Sequence, residues 1–204
     1  VFAREDAVSQ EIQSIYAIWD RGEDSPVTAD DDTKANRLVQ QTITNVIDDT
    51  MTPSVVRRIM SRNAVDYEED DGADYGTYGW YIDFDMTRAP DSAIGTQDLT
   101  GNAPPATQFP GERAIRRFLF RDGIIVTTTV LPSSGATSCI GARPGSIILF
   151  DALSGGDPQK AVIDFNADGT IDDDDMVTVG SDLFAGGILF DQSELDGALV
   201  DLST

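Results

Sequence analysis

Between Asp164 and Asp175 the chain reads Asp-Phe-Asn-Ala-Asp-Gly-Thr-Ile-Asp-Asp-Asp-Asp, which puts oxygen side chains at loop positions 1, 3, 5, 9 and 12, glycine at 6 and a branched apolar residue at 8. Calcium takes six to eight oxygens at about 2.3–2.6 Å, and a 12-residue loop curls alternate side chains around one centre. The spacing therefore predicts a Ca2+ site built from Asp164, Asn166, Asp168, the backbone carbonyl of Thr170, Asp172 directly or through water, and Asp175. Gly169 allows the sharp turn, and Ile171 is expected to point into the core and fix the loop's orientation. Asp175 stands where a glutamate is usual, so its shorter arm makes a bidentate clamp less assured. Crowded carboxylates repel one another without a cation. Magnesium fits less well, because it demands a smaller octahedron and keeps its waters. A second such loop and flanking amphipathic helices are missing, so the ion is expected to staple a loop in a β-scaffold rather than open a groove.

Most other chemistries are excluded by composition. The 204 residues contain no histidine, which removes the Ser-His-Asp triad, the Cys-His pair and the imidazole pH switch. One cysteine, Cys139, allows no internal disulfide; it is either a free thiol or a half-cystine with a partner elsewhere. Ser133, Ser134 and Ser138 have no base to activate them. With 36 acidic and 14 basic side chains the net charge is −22, so nucleic acid is an unfavoured partner. No apolar run reaches the ~18 residues of a membrane span. Without an initiator Met or a leader, the chain is expected to be a processed or truncated product.

The acids are 29 Asp against 7 Glu, and Asp belongs in turns, caps and oxygen-ligand loops. The clusters Asp30–Asp32 and Glu68–Asp71 with Asp74 lack alternate spacing and read as solvated surface. Carboxylate pairs held about 5–9 Å apart could hydrolyse glycosides, but sequence gives no separation. Trp19, Tyr78, Trp80 and Tyr81 could form a sugar platform, although aromatic residues at strand spacing more often fill a core.

The elements that must position these residues are strands. Alternation or β-branched content marks 11–19, 37–47, 55–60, 78–84, 145–150, 187–190 and 198–202. The clearest hairpin runs from Arg113 to Val130 around Asp122-Gly123. Ala152 to Gly156 reads as a glycine-rich turn, and a brief helical stretch is expected near Asp173. About nine strands in a meander argue for an all-β sandwich, barrel or propeller. Acidic residues 20–33 and the Pro-rich run 89–111 read as insertions between strands.

In order along the chain, Ser14-Ile-Tyr-Ala-Ile-Trp-Asp20, Leu38-Val-Gln-Gln-Thr-Ile43, Gly79-Trp-Tyr-Ile-Asp83, Gly111-Glu-Arg113, Leu131-Pro-Ser, Cys139, Leu149-Phe-Asp-Ala152 with Gly155-Gly156, and the acidic loop resemble the carboxy-terminal part of the PilY1/PilC family of type IV pilus tip-associated adhesins. The likeness covers roughly residues 10–190. It implies antiparallel blades of a partial β-propeller, distantly like quinoprotein dehydrogenases, with the whole of 1–204 as the carboxy-terminal portion, roughly its last half. It also implies an EF-hand-like calcium loop at Asp164, Asn166, Asp168, Thr170 and Asp172, with the middle Asp and Asn exchanged relative to the family pattern. The function implied is a secreted, calcium-dependent adhesin and pilus-biogenesis factor at the pilus tip, associated with the outer membrane, and not an enzyme. Implied partners are minor pilins or tip components, host or surface glycans and proteins, and the remaining blades or another chain. No Arg-Gly-Asp tripeptide is present; Arg121-Asp-Gly123 has the wrong order. Two other readings compete: a dockerin-type anchoring module, which needs two loops and mostly helix, and a propeller-type quinoprotein or glycoside hydrolase.

Overall fold

The computed structural model of the chain describes residues 11–20, 37–51, 55–67, 77–84, 111–114, 116–130 and 145–190. The strands among them are β1 (Ser14–Ile18), β2 (Val39–Gln41), β3 (Ile43–Asp48), β4 (Val55–Met60), β5 (Gly79–Asp83), β6 (Arg113–Ala114), β7 (Leu119–Arg121), β8 (Ile124–Val130), β9 (Gly145–Asp151), β10 (Val177–Val179), β11 (Asp182–Phe184) and β12 (Gly187–Phe190). The protein is all-β. Its largest sheet has the order β3-β4-β12-β9-β8-β6, with β7 also on β8, and every pair in it is antiparallel. A three-stranded sheet, β1-β5-β2, pairs β5 antiparallel with β1 and parallel with β2, and β10-β11 is a separate hairpin. No break divides the largest sheet into four-stranded blades. The expected segment 198–202, Cys139 with its neighbouring serines, the acidic clusters at 30–32 and 68–74, and nearly all of both insertions lie outside the described residues.

The sequence 37–47 does not form the single strand its composition suggests. β2 and β3 belong to different sheets, and the chain crosses between them at Thr42. Gln41, fully buried, is the reason the crossing holds. Its Nε2 donates to the carbonyls of Asn63 (2.7 Å) and Ser154 (2.8 Å), and its Oε1 accepts from Ser61 Oγ (2.6 Å) and Asn63 N (3.1 Å). Buried polar groups must be satisfied, and this amide is satisfied by two separate segments, 61–63 and the turn at Ser154, which it thereby ties to its own.

β8 is long because Ile124 to Val130 is rich in β-branched residues, and it is paired along its whole length with β9. Its other edge is shared. Asp122 (φ 50°) and Gly123 (φ 80°) form the expected two-residue turn, bringing Arg121 opposite Ile124. Ala114 faces Thr129 and Leu119 faces Val126, so the chain has four residues between Ala114 and Leu119 where β8 has two, Thr127 and Thr128. The surplus splits the expected strand into β6 and β7 and leaves Arg116, Arg117 and Phe118 exposed.

Between the two larger sheets Ile15, Ile43, Met60, Trp80, Ile82, Phe84, Ile148 and Phe150 form the main core. Trp80 meets Phe150 edge-on at 5.3 Å and donates Nε1–H to the Ala152 carbonyl at 3.2 Å. Gly155, at φ 70°, lies so close to the indole that a Cβ there would meet Trp80 Cδ2 at 2.3 Å. The glycine-rich turn at 152–156 is therefore a floor under the tryptophan as well as a link.

Arg58, from β4, is fully buried. It forms an ion pair with the fully buried Glu112 and donates to Ser146 Oγ at 2.7 Å. Glu112 Oε1 also accepts from the hydroxyls of Thr129 and Ser146. One carboxylate thus gathers β4, β8, β9 and the segment leading into β6. Arg58→Ala is expected to cost about 3–5 kcal/mol, because Glu112 would remain buried without its counter-charge. Urea denaturation should show that loss, and should show Arg58→Met with Glu112→Gln recovering most of it. Equal losses in the two variants would mean that packing, not charge, is at stake.

Candidate functional site

The acidic loop hangs from the outer side of the seven-stranded sheet. Its approach, Lys160-Ala-Val-Ile163, reads as strand-like from its apolar run but is irregular in the structure. Ala167 (φ 60°) and Gly169 (φ 89°) take left-handed backbone angles, coiling the chain tightly between Asn166 and Thr170. The glycine expected at loop position 6 therefore does the conformational work assigned to it.

Within this coil the side chains cap backbone amides. Asp164 Oδ2 accepts from Gly169 N at 2.9 Å, Asn166 Oδ1 from Asp168 N at 2.9 Å, and Asp168 Oδ1 from Thr170 N at 2.7 Å and Thr170 Oγ1 at 2.5 Å. Those bonds from Thr170 hold the exposed Asp168 carboxyl below the ordinary carboxylate range. Asp172 caps the 3-10 turn Asp173–Asp175, which occupies the place of the expected helical stretch, by accepting from Asp174 N at 2.9 Å. Asp175 returns the favour at Asp172 N (3.1 Å) and also accepts from Phe165 N (2.7 Å) and Asn166 N (3.2 Å). It closes the two ends of the loop. At 1% exposure it is the loop's buried carboxylate.

All six residues read from the sequence as ligands lie in this one coil. Their carboxylates, however, turn to amides: among the described residues no three Asp, Glu, Cys or His side chains stand together as a metal-holding group. Asp164 Oδ1 is buried and has no hydrogen-bond partner. Ile171 departs from expectation, since it is 56% exposed rather than in the core. The inward place is filled by Phe165, and no second loop among the described residues offers Ile171 a surface to pack against.

Arg57, from β4, seats the coil. It is 1% exposed; its Nη2 donates to the carbonyls of Asp175 (2.9 Å) and Ala185 (2.6 Å), its Nη1 reaches Asp48 at 3.4 Å, and its guanidinium stacks 3.7 Å over the Phe165 ring. Burial pushes its pKa down, opposed by Asp48, Asp175 and Asp157. Asp157, also buried, accepts from the amides of Ala185 and Gly186 and pairs with Arg62 at 3.0 Å. Arg57 is not signalled by the sequence as part of this site, since Val-Val-Arg-Arg-Ile-Met reads as an ordinary strand. The β10-β11 hairpin, whose Val177 packs with Val46 and Ile59 of the large sheet, is likewise not marked by an apolar run, although Gly180-Ser181 is a two-residue turn signal, with Gly180 at φ 66°.

The four aromatic residues offered as a sugar platform separate. Tyr78, Trp80 and Tyr81 are core, whereas Trp19 is 44% exposed and meets Tyr67 edge-on at 5.3 Å. Trp19 and Tyr67 line an open pocket of about 340 Å3 with Ala17, Ile18, Ala152 and Leu153. Tyr67 donates to the Leu153 carbonyl at 2.5 Å.

No known family model matches the sequence, and no curated protein matches it. An all-β domain of mainly antiparallel sheets carrying a coiled acidic loop is the class this geometry defines. Among solved structures it is similar to the crystal structure of the Pseudomonas aeruginosa PilY1 C-terminal domain, with a TM-score of 0.66 and 22% identity over 93% of this chain. The likeness is one of fold, as the sequence resemblance implied. The match covers 34% of that chain, so the present chain spans about a third of its length. Among the described residues no helix is long and apolar enough to cross a membrane.

Burial, and secondly Asp151, raise the Tyr67 pKa above its ordinary value of about 10. A raised folded-state value means stability that is complete below the unfolded pKa and lost as pH rises through the higher folded one. Tyr67 should therefore ionise after the ordinary phenol range, together with opening of the Trp19–Tyr67 contact. Phenolate absorbance, compared with Tyr67→Phe, reads this; a normal midpoint for the missing step would show that the phenol is already solvated.

Proposed function

We propose that this chain is a calcium-binding domain of a type IV pilus tip protein, serving adhesion and pilus biogenesis rather than catalysis. The observation that carries the reading is the 12-residue oxygen-rich coil seated on a fold like that of the PilY1 C-terminal domain. The name of that neighbour concerns a pilus protein only; its extension to this chain rests on the shared fold and on the loop.

Ca2+ would be held by Asp164, Asn166, Asp168, the Thr170 carbonyl and Asp172. Asp175 acts chiefly as the clasp, adding a ligand through its remaining lone pairs. The buried, unpartnered Asp164 Oδ1 is the feature that suits a cation, since an orphaned carboxylate oxygen otherwise costs desolvation with no return. When bound, the ion supplies neutralisation and cross-linking of the coil. The sheets are read as part of a propeller completed by further strands, displayed outside the cell at the pilus tip, with minor pilins, other tip components and surface glycans or proteins as partners. The dockerin alternative is disfavoured because its scaffold is helical, whereas here the loop sits on strands. Among the described residues no constellation of side chains favours a quinoprotein-type enzyme.

Calorimetric titration of the chain with calcium should show one site, and Asp164→Ala or Asp172→Ala should weaken it at least about tenfold, or ~1.4 kcal/mol. Circular dichroism should remain that of a β protein in both variants. At calcium about 100-fold above its Kd the wild type should gain about 2.7 kcal/mol of stability. Unchanged affinity in both variants would remove the calcium reading, and with it the functional proposal's main support.

A further inference from the structure

Against a chain of net charge −22, the segment Arg116-Arg117-Phe118-Leu119-Phe120-Arg121 carries +3, leaving −22 − 3 = −25 on the rest. Every residue in it is exposed: Phe118 is 50%, Leu119 48% and Phe120 70% accessible. Arginines at a free strand edge are a usual guard against unwanted pairing. Three consecutive large apolar side chains between them are not, and they advertise contact. Among the described residues Arg116 and Arg117 form no ion pair, and Arg121 reaches its neighbour Asp122 alone, at 3.9 Å.

The backbone makes the same offer. β7 is hydrogen-bonded to β8 on one side, and among the described residues no strand pairs with its other edge. In a two-residue hairpin the closing pair, here Arg121 and Ile124, exchanges hydrogen bonds, and the next pair does not. Phe120, opposite Ile125, therefore turns its N–H and C=O away from β8, toward the free edge.

We propose that the outer edge of β7 is a docking site for an extended acidic segment of another protein, which adds to the sheet as a further antiparallel or parallel strand. Main-chain bonds at Phe120 would give affinity, the exposed apolar residues would receive alternate side chains, and Arg116, Arg117 and Arg121 would meet flanking carboxylates. Charge complementarity selects this occupant. Pairing β7 with its copy on a second chain would bring six arginines together across strands about 4.8 Å apart, which like-charge repulsion opposes. An anionic membrane leaflet would face the whole acidic body. A short strand, by contrast, engages mainly the charges within a Debye length of about 8–10 Å. This site lies apart from the acidic loop, so it stands or falls independently of calcium.

The test is fluorescence anisotropy of a labelled peptide of alternating Glu and Val, read against the full chain with and without calcium. Saturable binding is expected, at least about tenfold weaker for the same peptide N-methylated at alternate residues, undetectable for a Lys-Val repeat, and weakened by salt. Phe120→Pro deletes the outward N–H without touching a β7–β8 bond and should abolish binding, whereas Phe120→Ala should only weaken it. Should Phe120→Pro not fold, Arg116→Glu with Arg117→Glu, both exposed, provides the second loss-of-binding variant. Four results would overturn the proposal: no binding at about millimolar peptide, equal binding of the Lys-Val or N-methylated peptide, dimerisation of the chain that Phe120→Pro removes, or co-sedimentation with phosphatidylglycerol vesicles that depends on the same arginines.

Discussion

Two adjacent guanidinium groups on β4 hold the molecule together from opposite faces. Successive residues of a strand point to opposite sides, so Arg57 and Arg58, on an inner strand of a seven-stranded sheet, serve two different tasks. Arg58 reaches Glu112 and Ser146 and gathers the strands on one face; Arg57 reaches Asp48, Asp175 and Ala185 and seats the acidic coil on the other. Burying two such ions costs several kcal/mol each unless partners are placed to receive them. That cost makes the arrangement specific. A strand register shifted by one residue would exchange the faces and leave both cations, Glu112 and Asp48 unpaired in the interior.

The same economy of charge recurs around Asp157, whose carboxylate receives three backbone amides and Arg62, while the Arg62 guanidinium lies 4.1 Å over the Phe184 ring. Phe165 under Arg57 and Phe184 under Arg62 form a matched pair of cation–π contacts flanking the region that carries the coil. Four of the chain's buried acids, Asp48, Glu112, Asp157 and Asp175, are thus engaged by arginine side chains or by amides, which separates them from the solvated majority.

What could be read in the sequence follows from how local its causes were. Val55–Met60 as a strand, the Asp122-Gly123 turn, the 3-10 start at Asp173 and the left-handed Gly169 all depend on neighbours within a few residues, and all were legible. The break at Thr42 was not, because it depends on Gln41 bonding to residues as distant as Ser154. Nor was the split between β6 and β7, which is set by the length of β8 opposite. The acidic coil was legible as a coil, from its oxygen spacing; the arginine beneath it and the outward turn of Ile171 depend on which sheet face the loop meets. Charge was the least readable quantity of all. Composition said that acids crowd the surface, and it concealed that cations occupy the interior and one strand edge.

These contacts also bear on what an ion taken up by the coil could accomplish. A sensor needs an element with two arrangements of comparable energy, one of which the ligand prefers. Here the coil is closed by Asp175 through three amides and bonded at the Asp175 carbonyl to a buried arginine, with Phe165 pinned beneath the same guanidinium. Releasing it would take the Asp175 carbonyl and the Phe165 ring from the buried Arg57, leaving it Asp48 and the Ala185 carbonyl, and would break the three amide bonds of the buried Asp175 carboxylate at the same time, so an open arrangement has no comparable energy. A cation among these oxygens would therefore lower the repulsion between neighbouring aspartates and stiffen the coil where it stands, and any consequence for a partner would pass through the rigidity of the surface beside it rather than through movement of the sheet.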